Sequence, residues 1–383
     1  MDKTYRDVPF NRPFLVGKEL HFISMAVHAG HLSGNGPFTR KCHAWLEGRL
    51  GCRKALLTHS CTGALEMAAI LCDIGPGDEV ILPSFTFVST ANAFALRGAK
   101  LVFVDIRPDT LNIDEKRIEA AVTERTKAVV PVHYAGAPCA MDEIMDIASR
   151  RNLLVVEDAA QSMLTTYQGR PLGGLGHLGC LSFHETKNVI SGEGGALLVN
   201  DERFCERAEI IWEKGTDRSK FFRGQVDKYT WQDIGSSFLP SELVGAFLCA
   251  QFERADEICA ARLRSFSRYM ENLRPLAERG LCRLPVIPEN SGLNGHIFYL
   301  IARSLDERTR LIAFLRERGV GAHFHYIPLH SSPAGRKFGR VSGPLETTER
   351  ISETLVRLPL FYEISDEDVD FVSQAVCDFY SLG

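Results

Sequence analysis

One lysine in the chain lies where an amine can be made reactive. Lys187 closes the segment Cys180–Lys187 (CLSFHETK), which starts as an apolar strand, and the glycine-rich turn Gly192–Gly195 follows it. A lone lysine is usually a solvated side chain. At the mouth of a sheet, partial desolvation would lower the pKa of its ammonium group, and the free amine could then form a Schiff base with a carbonyl group. Both interpretations of Lys187 stay open at this point.

Two further segments carry groups that suit an anionic or heteroaromatic ligand. Asp158 ends the apolar run Val155–Asp158, where a carboxylate can pair with a protonated ring nitrogen or simply cap the next turn. The segment Thr58–Leu65 (THSCTGAL) leads from a strand into a helix. Backbone N–H groups at a helix start bind anions, and Thr62 and Gly63 allow a phosphate to approach closely. An ordinary serine or threonine N-cap is the alternative.

These three features together indicate pyridoxal phosphate chemistry. A phosphate cup would anchor the cofactor, an acid would keep its ring protonated, and a lysine would hold its aldehyde and later move protons. Each feature follows a predicted strand, as Asp158 and Lys187 do. The combination therefore predicts an enzyme.

Other patterns are less informative. Gly174–Gly179 fits the dinucleotide fingerprint G-x-G-x-x-G, but a strand rather than a helix follows it, so we interpret it as a turn. His323, His325 and His330 have no cysteine or carboxylate at ligand spacing, and we predict no metal site. The 11 cysteines include no C-x-x-C pair, so we expect reduced thiols.

Composition excludes several classes of protein. The chain has 383 residues, 45% hydrophobic and 24% charged, which is typical of a globular protein. No run of about 18 apolar residues predicts a membrane helix, and the N-terminus lacks the apolar core of a signal peptide. We therefore expect a cytoplasmic protein. A net charge of −4 gives no reason to expect nucleic-acid binding.

The elements that must position these residues alternate along the first half of the chain. Near-continuous apolar runs alternate with helix-length segments, a pattern typical of a mostly parallel sheet with helices on both faces. In such α/β sheets ligands bind at the carboxyl ends of the strands. The seven predicted strands are Ala55–Thr58, Glu79–Pro83, Leu101–Asp105, Lys127–His133, Leu153–Asp158, Cys180–His184 and Ala196–Asn200.

The second half of the chain changes in character. Residues 215–240 show neither helical nor strand periodicity, which suggests a functional loop or a partner contact. After them we predict one or two long helices, strands over 296–302 and 321–327, and helices over 307–318 and after Ser365. We therefore predict a large domain over 1–249, with an N-terminal arm, and a smaller C-terminal α+β domain over 250–383.

The chain as a whole resembles the DegT/DnrJ/EryC-type nucleotide-sugar aminotransferases, pyridoxal phosphate enzymes of fold type I. The resemblance runs nearly end to end and rests on several long motifs in the right order. They are Gly75–Phe87 (GPGDEVILPSFTF), Val132–Gly136 (VHYAG), Glu157–Gln161 (EDAAQ) and Ser182–Lys187 (SFHETK) followed by Gly192–Gly195 (GEGG).

The resemblance implies a role for each site residue. Lys187 would be the Schiff-base lysine, Asp158 the partner of the pyridine nitrogen, and Gln161 a neighbour of the ring hydroxyl. Phe87 would stack on the ring where many relatives have a tryptophan. Thr62, Gly63 and Ser182 would bind the phosphate, with Ser237 reaching it from the neighbouring subunit of a homodimer. Many relatives have an asparagine in place of Ser237 and an arginine in place of Leu239.

The stretch Ser236–Pro240 (SSFLP) most resembles the branch that acts on dTDP-4-keto-6-deoxy-D-glucose. For this chain the resemblance implies transamination with L-glutamate to dTDP-4-amino-4,6-dideoxy-D-galactose. Another keto-sugar substrate, or a non-catalytic regulator, is the alternative. Candidate contacts to the substrate are Arg223, Lys228, Tyr229 and Trp231 in the aperiodic segment and His325 and His330 near the C-terminus.

Overall fold

The computed structural model describes residues 6–381. Its helices are α1 Glu19–His28, α2 Pro37–Leu50, α3 Cys61–Leu71, α4 Val88–Ala95, α5 Glu115–Ala121, α6 Met141–Arg151, α7 Cys205–Trp212, α8 Arg218–Phe222, α9 Glu242–Phe252, α10 Ala255–Glu278, α11 Leu305–Glu317, α12 Pro333–Phe338, α13 Glu346–Thr354 and α14 Asp366–Ser381. Its strands are β1 Lys54–Thr58, β2 Glu79–Pro83, β3 Lys100–Val104, β4 Thr126–Val129, β5 Leu154–Asp158, β6 Thr166–Tyr167, β7 Arg170–Pro171, β8 Leu178–Ser182, β9 Gly195–Val199, β10 Phe298–Ile301, β11 Gly339–Val341 and β12 Leu355–Leu358.

A large sheet organises the chain, in the order β1-β9-β8-β5-β4-β2-β3-β11. The pairs from β8 to β11 are parallel, and β9 alone runs against its neighbours. All seven predicted strands are present, which confirms the mostly parallel α/β fold. The sheet has eight strands rather than seven, because the short β11 from the C-terminal third pairs with β3.

Apolar side chains on both faces of the strands explain why helices cover both faces. Along β5, Val155 belongs to an apolar cluster with α5 and α6, whereas its neighbour Val156 belongs to a cluster with α3. Successive side chains in a strand point to opposite faces, so a continuous apolar run requires cover on both. Because the strands from β8 to β11 are parallel, their carboxyl ends lie at the same edge of the sheet.

The C-terminal part forms its own apolar cluster around α10, α11, α14, β10 and β12, joined by Val8 from the N-terminal segment. α14 begins after Ser365, as the sequence predicts, and the Ser365 hydroxyl accepts the Asp368 N–H at 3.0 Å. The predicted strand over 321–327 is wrong. That segment makes a single bridge between His323 and Arg357, because it forms a loop over the mouth of the large sheet.

Candidate active site

A cavity of about 840 Å³ lies at the carboxyl edge of the sheet. β5 and β8 supply one wall, the first turns of α3 and α4 a second, and the 323–327 loop with β12 a third. The cavity brings together seven of the residues singled out in the sequence: Lys187, Asp158, Gln161, Thr62, Ser182, Phe87 and His325. Groups more than 250 residues apart therefore share one site.

Lys187 lies in the turn after β8, where its backbone N–H donates to the carbonyl of His184 at 2.9 Å. Its side chain lines the cavity. Burial lowers the pKa of Lys187 from its ordinary value, opposed by the nearby Cys61 and Asp158 and supported by the charge of Arg357. A larger fraction of the amine is therefore uncharged at neutral pH, as a nucleophile requires.

Asp158 is held in a fixed orientation at the end of β5, with 5% of its surface exposed. Its Oδ2 accepts a hydrogen bond from the Thr90 hydroxyl at 2.7 Å, and its Oδ1 accepts the Ala160 N–H at 3.1 Å. Thr90 itself pairs with the Thr86 hydroxyl at 2.8 Å. A nearly buried carboxylate with two such partners can still accept a proton-bearing ring nitrogen from the cavity.

The residues that begin α3 line the cavity, and the first N–H groups of a helix can bind an anion. Ser60 is the N-cap and accepts the Gly63 N–H at 3.1 Å, so that amide is already used. Ser60, Cys61 and Thr62 line the cavity. A Cβ atom on Gly195 would come within 2.4 Å of the Cys61 nitrogen, so glycine there lets β9 approach the helix start.

Gln161, Thr62 and Phe87 are three further predicted cofactor contacts that line the cavity. Gln161 accepts the Ala135 N–H at 2.6 Å and donates to the Tyr326 hydroxyl at 3.0 Å, which holds its amide at the cavity wall. The Thr62 hydroxyl donates to Ser89 at 2.8 Å. Phe87 precedes α4 and is 58% exposed, so its ring face is open for stacking.

Seven predicted residues do not line this cavity within the single chain. Ser237 is exposed and forms an isolated backbone β-bridge with Glu213. Arg223 forms an ion pair with Glu209 at 2.8 Å. Trp231 is 80% exposed. His330 contacts the buried Ser84 hydroxyl at 2.7 Å through Nδ1. Outside the cavity lining are Gly63, Ser237, Arg223, Lys228, Tyr229, Trp231 and His330.

The segment over 215–240 is irregular apart from α8, Arg218–Phe222. Its contact with a second subunit stays a prediction.

The glycine-rich turn before β8 donates backbone N–H groups to a buried carboxylate, and a strand rather than a helix follows it. Glu157 accepts the N–H groups of Gly173 at 2.8 Å, Leu175 at 2.7 Å and Gly176 at 2.5 Å. It also pairs with the ring of His133 at 2.9 Å. β8 follows directly, which agrees with the interpretation of this motif as a turn.

Several cavity residues escaped sequence reasoning. Thr90, Tyr326 and Arg357 carry ordinary side chains in ordinary elements, and only the fold brings them to Asp158 and Lys187. The position of Thr90 in the first turn of α4, three residues after the motif Gly75–Phe87, is the one signal that could have indicated it.

The fold and the site together define a pyridoxal phosphate-dependent aminotransferase of fold type I. The cavity offers what the cofactor requires: an anion cup at α3, a carboxylate for the ring nitrogen and a lysine amine. The chain belongs to the DegT/DnrJ/EryC1/StrS aminotransferase family, whose profile matches residues 16–377. This confirms the predicted enzyme class and cofactor.

Individual relatives cover almost the whole chain. The spore coat polysaccharide biosynthesis protein SpsC of Bacillus subtilis is 34% identical over 97% of this chain and 96% of its own length. The aminotransferase TlmJ of Streptoalloteichus hindustanus is 30% identical with a TM-score of 0.89, covering 98% and 99%. The PLP form of the putative sugar aminotransferase Spr1654 of Streptococcus pneumoniae shares the fold, at 24% identity and a TM-score of 0.90, covering 98% and 99%.

The absence of two structural features applies to residues 6–381. Within that range no cluster of three or more histidine, cysteine, aspartate or glutamate side chains is arranged to hold a metal ion. No helix in the same range has both the length and the apolar character needed to cross a membrane.

Proposed function

We propose that this enzyme transfers the amino group of L-glutamate to C4 of dTDP-4-keto-6-deoxy-D-glucose, giving dTDP-4-amino-4,6-dideoxy-D-galactose and 2-oxoglutarate. The single observation that carries the transamination is the convergence of the Lys187 amine and the Asp158 carboxylate on one cavity. The choice of sugar rests on the motif Ser236–Pro240. SpsC, named for polysaccharide biosynthesis, supports a sugar substrate.

In this proposal Lys187 and Asp158 have different roles. Bound pyridoxal phosphate supplies an aldehyde that captures amines and a protonated ring that accepts electrons. Lys187 takes the proton from the α-carbon of glutamate and later delivers a proton to C4 of the sugar. Asp158, oriented by Thr90, keeps the ring nitrogen protonated throughout. Delivery from one face would set an axial amine.

We further propose that two copies of the chain share each site and that the enzyme works in the cytoplasm. Ser237, Arg223, Lys228, Tyr229 and Trp231 lie outside the cavity of their own chain, and the segment that carries them is largely exposed. In a homodimer this segment would reach the partner's cavity, where its cations would meet the substrate diphosphate.

The test is an amination assay with the purified holoenzyme, L-[¹⁵N]glutamate and dTDP-4-keto-6-deoxy-D-glucose. We expect one 2-oxoglutarate for each amino sugar formed, and NMR coupling constants that show an axial amine at C4. The 3-keto isomer is the matched control and should react poorly. An equatorial amine, or faster turnover of the 3-keto sugar, would contradict the proposal.

A further inference from the structure

Two arginines, Arg262 and Arg357, line the cavity, and they differ in whether their guanidinium N–H groups have hydrogen-bond partners. Arg262, only 3% exposed, donates to three backbone carbonyls: Gly295 at 3.1 Å, His296 at 2.8 Å and Leu360 at 2.9 Å. These bonds tie α10 to the segments beside it. Arg262 therefore has a structural role, and its lining position needs no ligand to explain it.

Arg357 is different, because its guanidinium group is left available. Its backbone, in β12, exchanges hydrogen bonds with His323 at 2.7 and 3.2 Å, which anchors the strand beside the loop over the cavity. Its Nε is buried and has no hydrogen-bond partner within residues 6–381. The ring of Phe10 lies 4.7 Å from its Cζ and limits its movement. A buried donor without a partner is costly unless a ligand satisfies it.

The carboxylates that line the cavity do not neutralise this charge. Asp158 is engaged by Thr90 and Ala160, and Glu193 lies 3.8 Å from the ring of His184. Burial lowers the pKa of the Arg357 guanidinium from its ordinary value, opposed by Tyr134 and Tyr326, whose hydroxyl groups are neutral at physiological pH. A partly buried cation without an anionic partner indicates that the ligand supplies the anion.

We propose that Arg357 determines donor specificity by binding the α-carboxylate of the amino acid. A planar guanidinium matches a carboxylate with two parallel hydrogen bonds. The assignment rests on the proposed function, because it concerns the donor half of that reaction. It names Arg357 as a positioning residue that holds the α-carbon toward Lys187.

The position of Arg357 favours the donor carboxylate over the sugar diphosphate. Its neighbour Tyr326 receives a hydrogen bond from Gln161 at 3.0 Å, three residues after Asp158, so it lies on the wall that faces the cofactor ring. The α-carboxylate is bonded directly to the carbon that loses its proton. The diphosphate is separated from C4 by the sugar ring and therefore lies farther from Lys187.

The test separates the two half-reactions in the holoenzyme. Arg357→Gln removes the positive charge, and Arg357→Lys keeps the charge but lacks the two parallel N–H donors of a guanidinium group. Arg279→Gln alters an exposed arginine at the end of α10 and is the matched control. Each variant is mixed with L-glutamate or with 4-aminobutyrate, which keeps a distal carboxylate but lacks the α-carboxylate. The conversion is followed from the cofactor absorbance, with no sugar present.

We expect Arg357→Gln to raise the apparent dissociation constant for L-glutamate about 10- to 100-fold, as loss of a charged hydrogen-bond pair does. The preference for glutamate over 4-aminobutyrate should fall by a similar factor, with a smaller fall in Arg357→Lys and none in Arg279→Gln. The melting temperature and cofactor absorbance of the resting enzyme should not change.

Two results would overturn the inference. One is a glutamate preference that changes less than 3-fold in Arg357→Gln. The other is an equal or larger loss in keto-sugar binding, which would assign Arg357 to the diphosphate. The donor half-reaction needs no sugar, so a wrong sugar assignment leaves this test intact. If glutamate is not the donor, the amino acid that reacts fastest replaces it, with its decarboxylated analogue as the comparison.

Discussion

The amine of Lys187 lies in a cavity whose walls favour its uncharged form, and its pKa falls below the ordinary value of 10.5. A reactive lysine of this kind leads to a pH-dependent prediction. The rate at which the apoenzyme captures pyridoxal phosphate should rise with pH, with a midpoint below 10.5, because only the free amine attacks the aldehyde. Stopped-flow absorbance between pH 6 and 10 measures this rate.

Lys187→Arg tests the same residue, since arginine keeps a positive charge but offers no free amine. We expect turnover to fall about 1,000-fold or more, as loss of a covalent nucleophile does. Lys337→Arg, on α12 outside the cavity, is the control and should be fully active. A Lys187→Arg enzyme within tenfold of normal turnover would remove Lys187 from the mechanism.

Thr90 lets the role of Asp158 be tested without removing the carboxylate. Thr90→Val keeps the shape of the side chain and deletes the 2.7 Å hydrogen bond to Oδ2. We expect both half-reactions to slow about 10- to 100-fold, the range for a hydrogen bond to a charged group. Thr90→Ser keeps the hydroxyl and should stay within about threefold. Equal rates in the valine and serine variants would show that this contact does not matter.

At the scale of elements, β9 contacts the start of α3, where we predict the phosphate of the cofactor to bind. In Gly195→Ala the new Cβ would meet the backbone of Ser60 and Cys61 at 2.4 Å, so the helix start must shift. We expect cofactor affinity to fall at least tenfold with the large fold intact, because anion binding depends on aligned N–H groups. Equilibrium dialysis measures the affinity.

Gly48→Ala is the matched control for this contact. Gly48 lies inside α2 with open space around its Cβ position, so alanine should leave cofactor affinity unchanged and slightly favour the helix. Unchanged affinity in Gly195→Ala would mean that the cup tolerates displacement of α3.

At the scale of the whole molecule, β11 brings the C-terminal third to the edge of the large sheet. Its Arg340 donates to both oxygens of the buried Glu79, at 2.7 and 3.1 Å, and Arg125 adds a third contact at 3.0 Å. The hydrogen bond with Arg340 is the largest influence that lowers the pKa of Glu79, from 4.5 to about 2. The ion pair therefore contributes most above pH 4.5.

Arg340→Gln should lower the free energy of unfolding by about 1 to 3 kcal/mol at pH 7, because a buried carboxylate loses a charged partner. A depressed carboxyl pKa stabilises the fold above the unfolded value and loses that effect as pH falls toward the folded value. The difference between the two proteins should thus shrink between pH 4.5 and 2. Urea unfolding measures it. Arg336→Gln, on exposed α12, should show no such difference.

Much of the sheet could be predicted because the apolar composition of each strand indicates that it is buried. Runs such as Glu79–Pro83 are buried on both faces, and apolar composition reports that burial directly. β11 gave no such signal: three residues, Gly339–Val341, become a strand only because β3 offers an unpaired edge. The predicted strand over 321–327 is wrong because residues 323–327 all line the cavity, so the segment pairs with β12 only through the bridge between His323 and Arg357. The boundary near residue 249 stays a prediction.

The sequence by itself determined the class of enzyme, its cofactor and a lysine and an aspartate that line one cavity, because these groups belong to contiguous motifs at strand ends. Only the tertiary structure decided which side chains surround them. Thr90, Tyr326 and Arg357 reach the site from three separate parts of the chain, and Arg223 and Trp231 lie outside the cavity of their own chain. The physical reason is that a site is a meeting of distant segments, while local patterns record only the burial and periodicity of each segment.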